Sequence, residues 1–432
     1  MRVRAFVEKI KEGNELCVVD KEVPAAAIPS LIQEEERNKN RAILFQKVQN
    51  HTVPVVANLY GTVERYALGV NTQTTNLWKK IEDAVAKPTP AVQASQAPCF
   101  EVVYDDPDIT KILPVMQYSV LDAGPYITSG VVFMKDPDTG RRNISFIRLM
   151  VKGPKKLGFN PKSLHNKAYY NKIALAGKRM EVAIALGPPS EMLAAGAAHI
   201  PEGADELEVA TALAPPEQRG ELAVTKCRTV DIEVPAGSEI VIEGVVSTDL
   251  EPEGPFGDWT GCYARPQNKP TLDITRVSHR KDTVYQTILP GTSKEQILLT
   301  IVRFYPELEA LRERYPEVRD LTVPEYGLGR LAVVSVGKGI ENARINKMMD
   351  DFLKIQCINR VIVVNDDVNI YDPGDILWAF SNRILEKEKV AVSGCEDEWW
   401  NNLKMGIDTT VDINDIRHVR PEIIKGSNWE RA

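Results

Sequence analysis

The sequence predicts a multidomain protein of mixed α+β and α/β class, with an N-terminal α/β region, a β-rich centre and a C-terminal α/β domain ending in a docking tail. Three observations carry this. The chain has 432 residues, too many for one ordinary core. From about residue 110 to 300, Val-, Ile- and Thr-rich runs are punctuated by turn residues, the spacing of a barrel or sandwich. From about residue 320 the pattern becomes β-α-β, a parallel unit.

In chain order, Ile28 to Arg37 reads as a helix, Ala42–Phe45 and Val53–Ala57 as short strands, and Asn76 to Ala86 as an amphipathic helix with Leu77, Ile81 and Val85 on one face. Lys87 to Pro98 carries three prolines and reads as a linker. Asp136-Pro137-Asp138-Thr139-Gly140 is a hairpin turn between Val131–Met134 and a strand beginning near Asn143. Strands are expected at Thr229–Val234, Glu239–Val246, Thr271–Ser278 and Val284–Ile288. A helical excursion covers Ala168–Ala176 and Pro189–Ala197, with a strand at Val182–Leu186 between them. Strands at Arg330–Val336 and Arg360–Val364 and helices at Gly339–Leu353 and Asp375–Glu386 complete the C-terminal domain. The expected boundaries are 1–98, 99–310, 311–400 for an oligomerisation domain, and 401–432 for the tail, which bears Trp429.

Bulk chemistry removes several function classes. A formal net charge of -7 and a pI near 5.5 argue against a nucleic-acid binder. No apolar run approaches the ~20 residues of a membrane span, and the N-terminus lacks a signal core, so a cytoplasmic protein is expected. The six cysteines are scattered, as in a reduced compartment. There is no phosphate-loop motif, no dinucleotide fingerprint and no nucleophile elbow, and the five histidines show no zinc spacing. Carboxylate, amide and arginine chemistry is left, which calls for a borrowed cofactor.

Two segments hold that chemistry. Arg142-Asn143-Ile144-Ser145-Phe146-Ile147-Arg148 sets an amide and a guanidinium five apart on a strand. Glu253-Gly254-Pro255-Phe256-Gly257-Asp258 sets two carboxylates five apart around a bend, and Trp259-Thr260-Gly261 follows. Taken singly, each also reads as a solvated strand end or turn. Two aromatics in the second segment, and glycines that permit close approach to a ligand, argue for a site.

These segments, with Val364-Asn365-Asp366-Asp367, Trp378-Ala379-Phe380-Ser381 and Lys404-Met405-Gly406-Ile407-Asp408-Thr409-Thr410, resemble the UbiD family of decarboxylases, and the resemblance spans nearly the whole chain. It implies prenylated FMN as cofactor, Mn²⁺ or Mg²⁺ at the cofactor phosphate, and K⁺ nearby. The central domain is expected to be a split β-barrel of the flavin reductase type. Arg148 would bind the substrate carboxylate, Glu253 would pair with it, and Asp258 would handle the proton. Many relatives carry Glu where this chain has Asp258, one methylene shorter. Asn143 matches the family's metal-binding Asn, His165 fits its His in order, and Glu208 best matches its Glu, with Glu202, Asp205 and Glu206 as near competitors. Ile147, Arg148 and Lys404 are further expected cofactor contacts, and Gln296, after Pro290-Gly291, an expected substrate contact.

The reaction so implied is reversible non-oxidative decarboxylation of an aromatic, heteroaromatic or α,β-unsaturated acid of the furan, pyrrole, indole or hydroxybenzoate type. The expected partners are that acid, a UbiX-type flavin prenyltransferase as cofactor supplier, and further copies of the chain in a homodimer or larger assembly. The competing readings are a non-catalytic flavin-binding subunit of a carboxylase complex and a flavin-dependent oxidoreductase.

Overall fold

Strand residues in the central region bury both side-chain faces, and this dictates the architecture. Along Met180–Leu186, Ala183 and Ala185 pack into one apolar cluster while Val182, Ile184 and Leu186 pack into another. Val131 and Phe133 divide from Val132 and Met134 in the same way. Successive side chains of a strand point to opposite faces, so a sheet covered on both sides reads as a continuous apolar run. The computed structural model describes residues 1–161, 164–198, 200, 204–393 and 403–418. The chain divides into two units, Met1–Arg303 and Phe304–Ala432, with the boundary inside the helix Lys294–Arg314.

The first unit is built on a nine-stranded sheet. Its path runs Tyr126–Ile127, Leu149–Gly153, Lys156–Phe159, Gln267–His279, Ile240–Glu253, Met180–Leu186, Val131–Lys135 and Arg142–Phe146. Val102–Tyr104 pairs with Gln267–His279 off this path. Register shifts at Glu243/Gly244 and between Val246 and Leu250 break the long Ile240–Glu253 ladder, as bulges do. The end strands Tyr126–Ile127 and Arg142–Phe146 do not pair with each other, so the sheet is open and does not close into a barrel; the split barrel expected here is not confirmed. The reason is visible at the Arg142–Phe146 edge. Helices Ser190–Ala197 and Glu206–Leu213 pack there, and the Ile144 N–H donates to the Glu206 carboxylate at 3.3 Å instead of to another strand.

A second, four-stranded sheet joins Leu16–Val19, Ala42–Phe45, Val55–Ala57 and Tyr285–Thr287. The last of these comes from far along the chain and pairs parallel with Val55–Ala57. This fixes where the following segment, Ile288 to Gln296, begins. The strand expected at Thr229–Val234 shrinks to Glu233–Pro235. The Arg228 and Thr229 N–H groups are drawn instead to the buried Glu243 carboxylate, at 2.9 and 2.6 Å.

The second unit has a five-stranded sheet in the order Val318–Thr322, Leu331–Val336, Arg360–Asn365, Lys404–Asp408, Val390–Ser393. The middle three strands run parallel. Lys404–Asp408 lies within the segment expected as a tail, yet it is an interior strand. Trp429 lies outside the described residues. Among the described residues, no helix is long and apolar enough to cross a membrane.

Candidate active site

Arg148 follows the edge strand Arg142–Phe146 by two residues, and Glu253 is the last residue of Ile240–Glu253. The fold brings them together across 105 residues of sequence. Arg148 Nε donates to Glu253 Oε1 at 3.0 Å and Nη2 to Oε2 at 3.1 Å, a two-point grip. Nη1 donates to Asp258 Oδ2 at 3.3 Å. These bonds use three of the five guanidinium N–H groups, and one remains on each Nη. Glu253 is 2% exposed and Asp258 6%. Burial works against the Arg148 charge, but the hydrogen bonds and charge of Glu253, with the charge of Asp258, outweigh it and raise its pKa.

The bend between the acids gives each its direction. Gly254 has φ +90°, a conformation that favours glycine. Phe256 turns inward, its ring centroid 4.7 Å from the Arg148 guanidinium carbon and 4.5 Å from the Tyr126 ring. Asp258 heads a tight turn: its N–H donates to Cys262 O at 2.9 Å, and its carbonyl accepts from Gly261 N at 3.0 Å. Its Oδ1 accepts from Trp259 N at 2.9 Å, which orients the carboxylate. Cys262 is exposed beside this turn.

A second polar group lies along the same edge strand. Asn143 is buried and its amide donates to Asn166 Oδ1. Its Oδ1 is 3.2 Å from His165 Nδ1. Asn166 in turn donates to Ser145 Oγ at 2.6 Å. The carboxylate that reaches this strand is Glu206, through Ile144 N. Burial pushes the Glu206 carboxyl up to about 7. Glu208 lies two residues further along the helix Glu206–Leu213, and at 100° per residue it faces nearly the opposite way. Glu206, one of the near competitors of the expected Glu208, is therefore the carboxylate seen at this strand.

The remaining expected contacts are placed as follows. Ile147 is buried, with its N–H donating to Gly130 O at 3.0 Å. Gln296 is half-buried in the first turn of Lys294–Arg314, and its N–H donates to Ser293 Oγ at 3.2 Å. Gly291, five residues earlier, lies against Asp258: a Cβ built on it would sit 3.9 Å from Asp258 O. Lys404 donates to the Leu353 and Ile355 carbonyls in its own unit, at the end of the helix Asn342–Leu353. That is a common use of a lysine at a helix C-terminus.

Family models of the 3-octaprenyl-4-hydroxybenzoate carboxy-lyase match the chain in three consecutive pieces: the N-terminal domain at 7–85, the Rift-related domain at 91–293 and the C-terminal domain at 300–392. The chain belongs to the UbiD family. Like the family, it is a carboxy-lyase. Anhydromevalonate phosphate decarboxylase from Methanothermobacter thermautotrophicus is 32% identical over 90% of both chains. Two structures of the UbiD-class enzyme HmfF from Pelotomaculum thermopropionicum superpose with a TM-score of 0.87. One is an evolved dimeric form with prFMN, 33% identical and covering 98% of this chain and 97% of that one. The other holds FMN, is 32% identical and covers 98% of both. Vanillic acid decarboxylase from Sedimentibacter hydroxybenzoicus, 22% identical with a TM-score of 0.80 over 100% of this chain and 95% of that one, shares the fold.

In this UbiD-family chain the second polar group offers an amide oxygen, an imidazole and a carboxylate. Among the described residues no three His, Cys, Asp or Glu side chains gather at one point. An Asn-His-Glu set contains only two of those types, and mixed oxygen and imidazole donors suit a hard divalent cation whose other ligands come from a phosphate. Motif reading missed Tyr126, whose ring packs on Phe256, and Asn166, which links Asn143 to Ser145.

Proposed function

We propose that this chain catalyses the reversible non-oxidative decarboxylation of an α,β-unsaturated, aromatic or heteroaromatic acid with prenylated FMN. The observation that carries this is the buried Glu253–Arg148–Asp258 cluster, in which one guanidinium bridges two carboxylates. The flavin, when bound, supplies the sink for the electron pair left as CO2 departs, which no side chain of this set can provide. Arg148, locked by Glu253, offers its two remaining N–H groups to the substrate carboxylate. Asp258, oriented by Trp259 N, delivers a proton to the carbon that lost CO2, or removes it in the reverse direction. Phe256 and Tyr126 exclude water beneath the guanidinium. Asn143, His165 and Glu206 would hold a Mn²⁺ or Mg²⁺ that takes the flavin phosphate, with K⁺ nearby. Gln296 and Gly291 border the substrate, which distinguishes one acid from another. The protein works in the cytoplasm as a homo-oligomer and receives its cofactor from a flavin prenyltransferase.

Incubation of flavin-loaded protein with a panel of furan, pyrrole, indole, hydroxybenzoate and phosphorylated unsaturated acids tests this by CO2 release. A phosphorylated acid is included because the 32% identical relative is named for one. Asp258→Asn is expected to retain flavin and to lose both CO2 release and solvent deuterium incorporation. Unimpaired exchange in that variant would remove Asp258 from the proton step. Alanine at Gln296 is expected to change the order of preferred acids and leave flavin content alone.

A further inference from the structure

We infer that Asp122 is a positioning residue whose carboxylate fixes the Phe256–Asp258 segment, and with it the place from which Asp258 exchanges its proton. This rests on the role proposed above for Asp258. Asp122 is 6% exposed and lies 135 residues from the segment it holds. Its Oδ1 accepts from Gly257 N at 2.8 Å. Its Oδ2 accepts from Ser119 N at 2.8 Å and Tyr118 N at 3.2 Å. One carboxylate thus ties three backbone donors from two distant segments. The neighbouring residue adds a fourth tie, with Ala123 N donating to Pro255 O at 2.9 Å.

The clamp is close-fitting and anchored at its far end. A Cβ on Gly257 would lie 2.8 Å from Ser119 Oγ, so either that hydroxyl turns away or the two segments part. Tyr118 OH meets Thr287 Oγ1 at 2.5 Å and accepts from Thr128 Oγ1 at 3.2 Å. Thr287 ends the strand that leads to Gly291, and Gly291 borders Asp258 from the other side. The segment 118–122 therefore connects both backbones that flank the acid. Gly257 immediately precedes Asp258, so any shift of its N–H moves the carboxylate relative to Arg148. Displacements of about 1 Å at a reacting group cost on the order of 100-fold in rate.

The test uses Asp122→Asn in the flavin-loaded enzyme. Asparagine keeps the shape but sets an amide N–H2 against backbone N–H groups on one side. The expected result is a kcat per bound flavin lower by about 10- to 100-fold, with KM and flavin content changed by less than about twofold. A purely structural Asp122 would lower the melting temperature or flavin content and leave kcat per bound flavin unchanged, which would overturn the inference. If Asp122→Asn fails to fold, Gly257→Ala replaces it. That variant is expected to lose turnover, and Ser119→Ala in the same chain is expected to restore most of it, since the clashing hydroxyl is gone. Absence of rescue would overturn the inference. Asp258→Asn measured in parallel separates the two ideas. Full turnover there ends the proton role itself. An inactive Asp258→Asn beside a fully active Asp122→Asn ends only the positioning role.

Discussion

Arg148 and Glu253 meet through two parallel hydrogen bonds of 3.0 and 3.1 Å, on side chains only 14% and 2% exposed. The pair fixes the guanidinium plane, so the third contact, to Asp258, is made from Nη1, the nitrogen that Glu253 does not engage. A lysine in place of Arg148 offers a single point charge and no such plane.

Removing one partner of this pair is expected to cost more than removing both. Arg148→Met leaves Glu253 buried without its counter-charge, a loss of about 3–5 kcal/mol. Adding Glu253→Gln in the same chain is expected to recover most of that stability while leaving CO2 release abolished. Urea denaturation of the two single variants and the double variant checks this. Additive losses would show that the two charges do not depend on each other.

Asp258→Glu tests the shorter acid. The longer side chain carries its carboxylate beyond the Trp259 N–H that now orients Asp258 at 2.9 Å. We expect turnover to fall by about tenfold or less and flavin content to hold, with the bell-shaped pH–rate profile displaced on one limb. A profile that superposes on the parent's would mean that reach at this position does not set the proton transfer.

The two candidate carboxylates of the helix Glu206–Leu213 are distinguished by substitution. Glu206→Gln is expected to lower bound divalent metal and flavin together by at least about tenfold, the scale of a lost ligand or its support. Glu208→Gln is expected to leave both near parental levels. Metal analysis and the visible absorption spectrum provide the readouts, and a reversed ranking would return the assignment to Glu208.

Stability is expected to depend on pH through Glu239, which lies outside the site. Its side chain is fully buried, and burial pushes its carboxyl up to about 7 from an ordinary value of 4.5. Between those values the folded protein holds a proton that the unfolded chain has released, so stability falls as pH rises through the window. Glu239→Gln keeps an acceptor for Val284 N–H, which Glu239 receives at 3.1 Å, and removes the titration. From pH 5 to pH 8 the parent is expected to lose about 1–3 kcal/mol relative to this variant. Parallel denaturation curves across that range would count against it.

Much of the candidate site was legible because its residues sit in two short segments whose composition is unusual. Asn143 and Arg148 share one strand segment and its exit, and Glu253 and Asp258 flank one bend. What was not legible depended on phase and on edges. Glu206 and Glu208 differ by two positions in the same acidic stretch, and only the rotation of their helix against Arg142–Phe146 selects between them. Whether the central sheet closes was not legible for a related reason. Strand periodicity predicts that an edge will form, and it does not say whether another strand, a helix or a carboxylate will cover it.

By itself the sequence determined the mixed α/β class and the family and singled out the three charges that meet in the cluster, since those follow from local pattern and short motifs. Only the tertiary structure decided how those charges are held. The two-point grip of Arg148 on Glu253 spans 105 residues and the Asp122 clamp on Gly257 spans 135. Contacts of that kind depend on strand order, register and helix phase, which the whole buried core sets together and no single segment encodes.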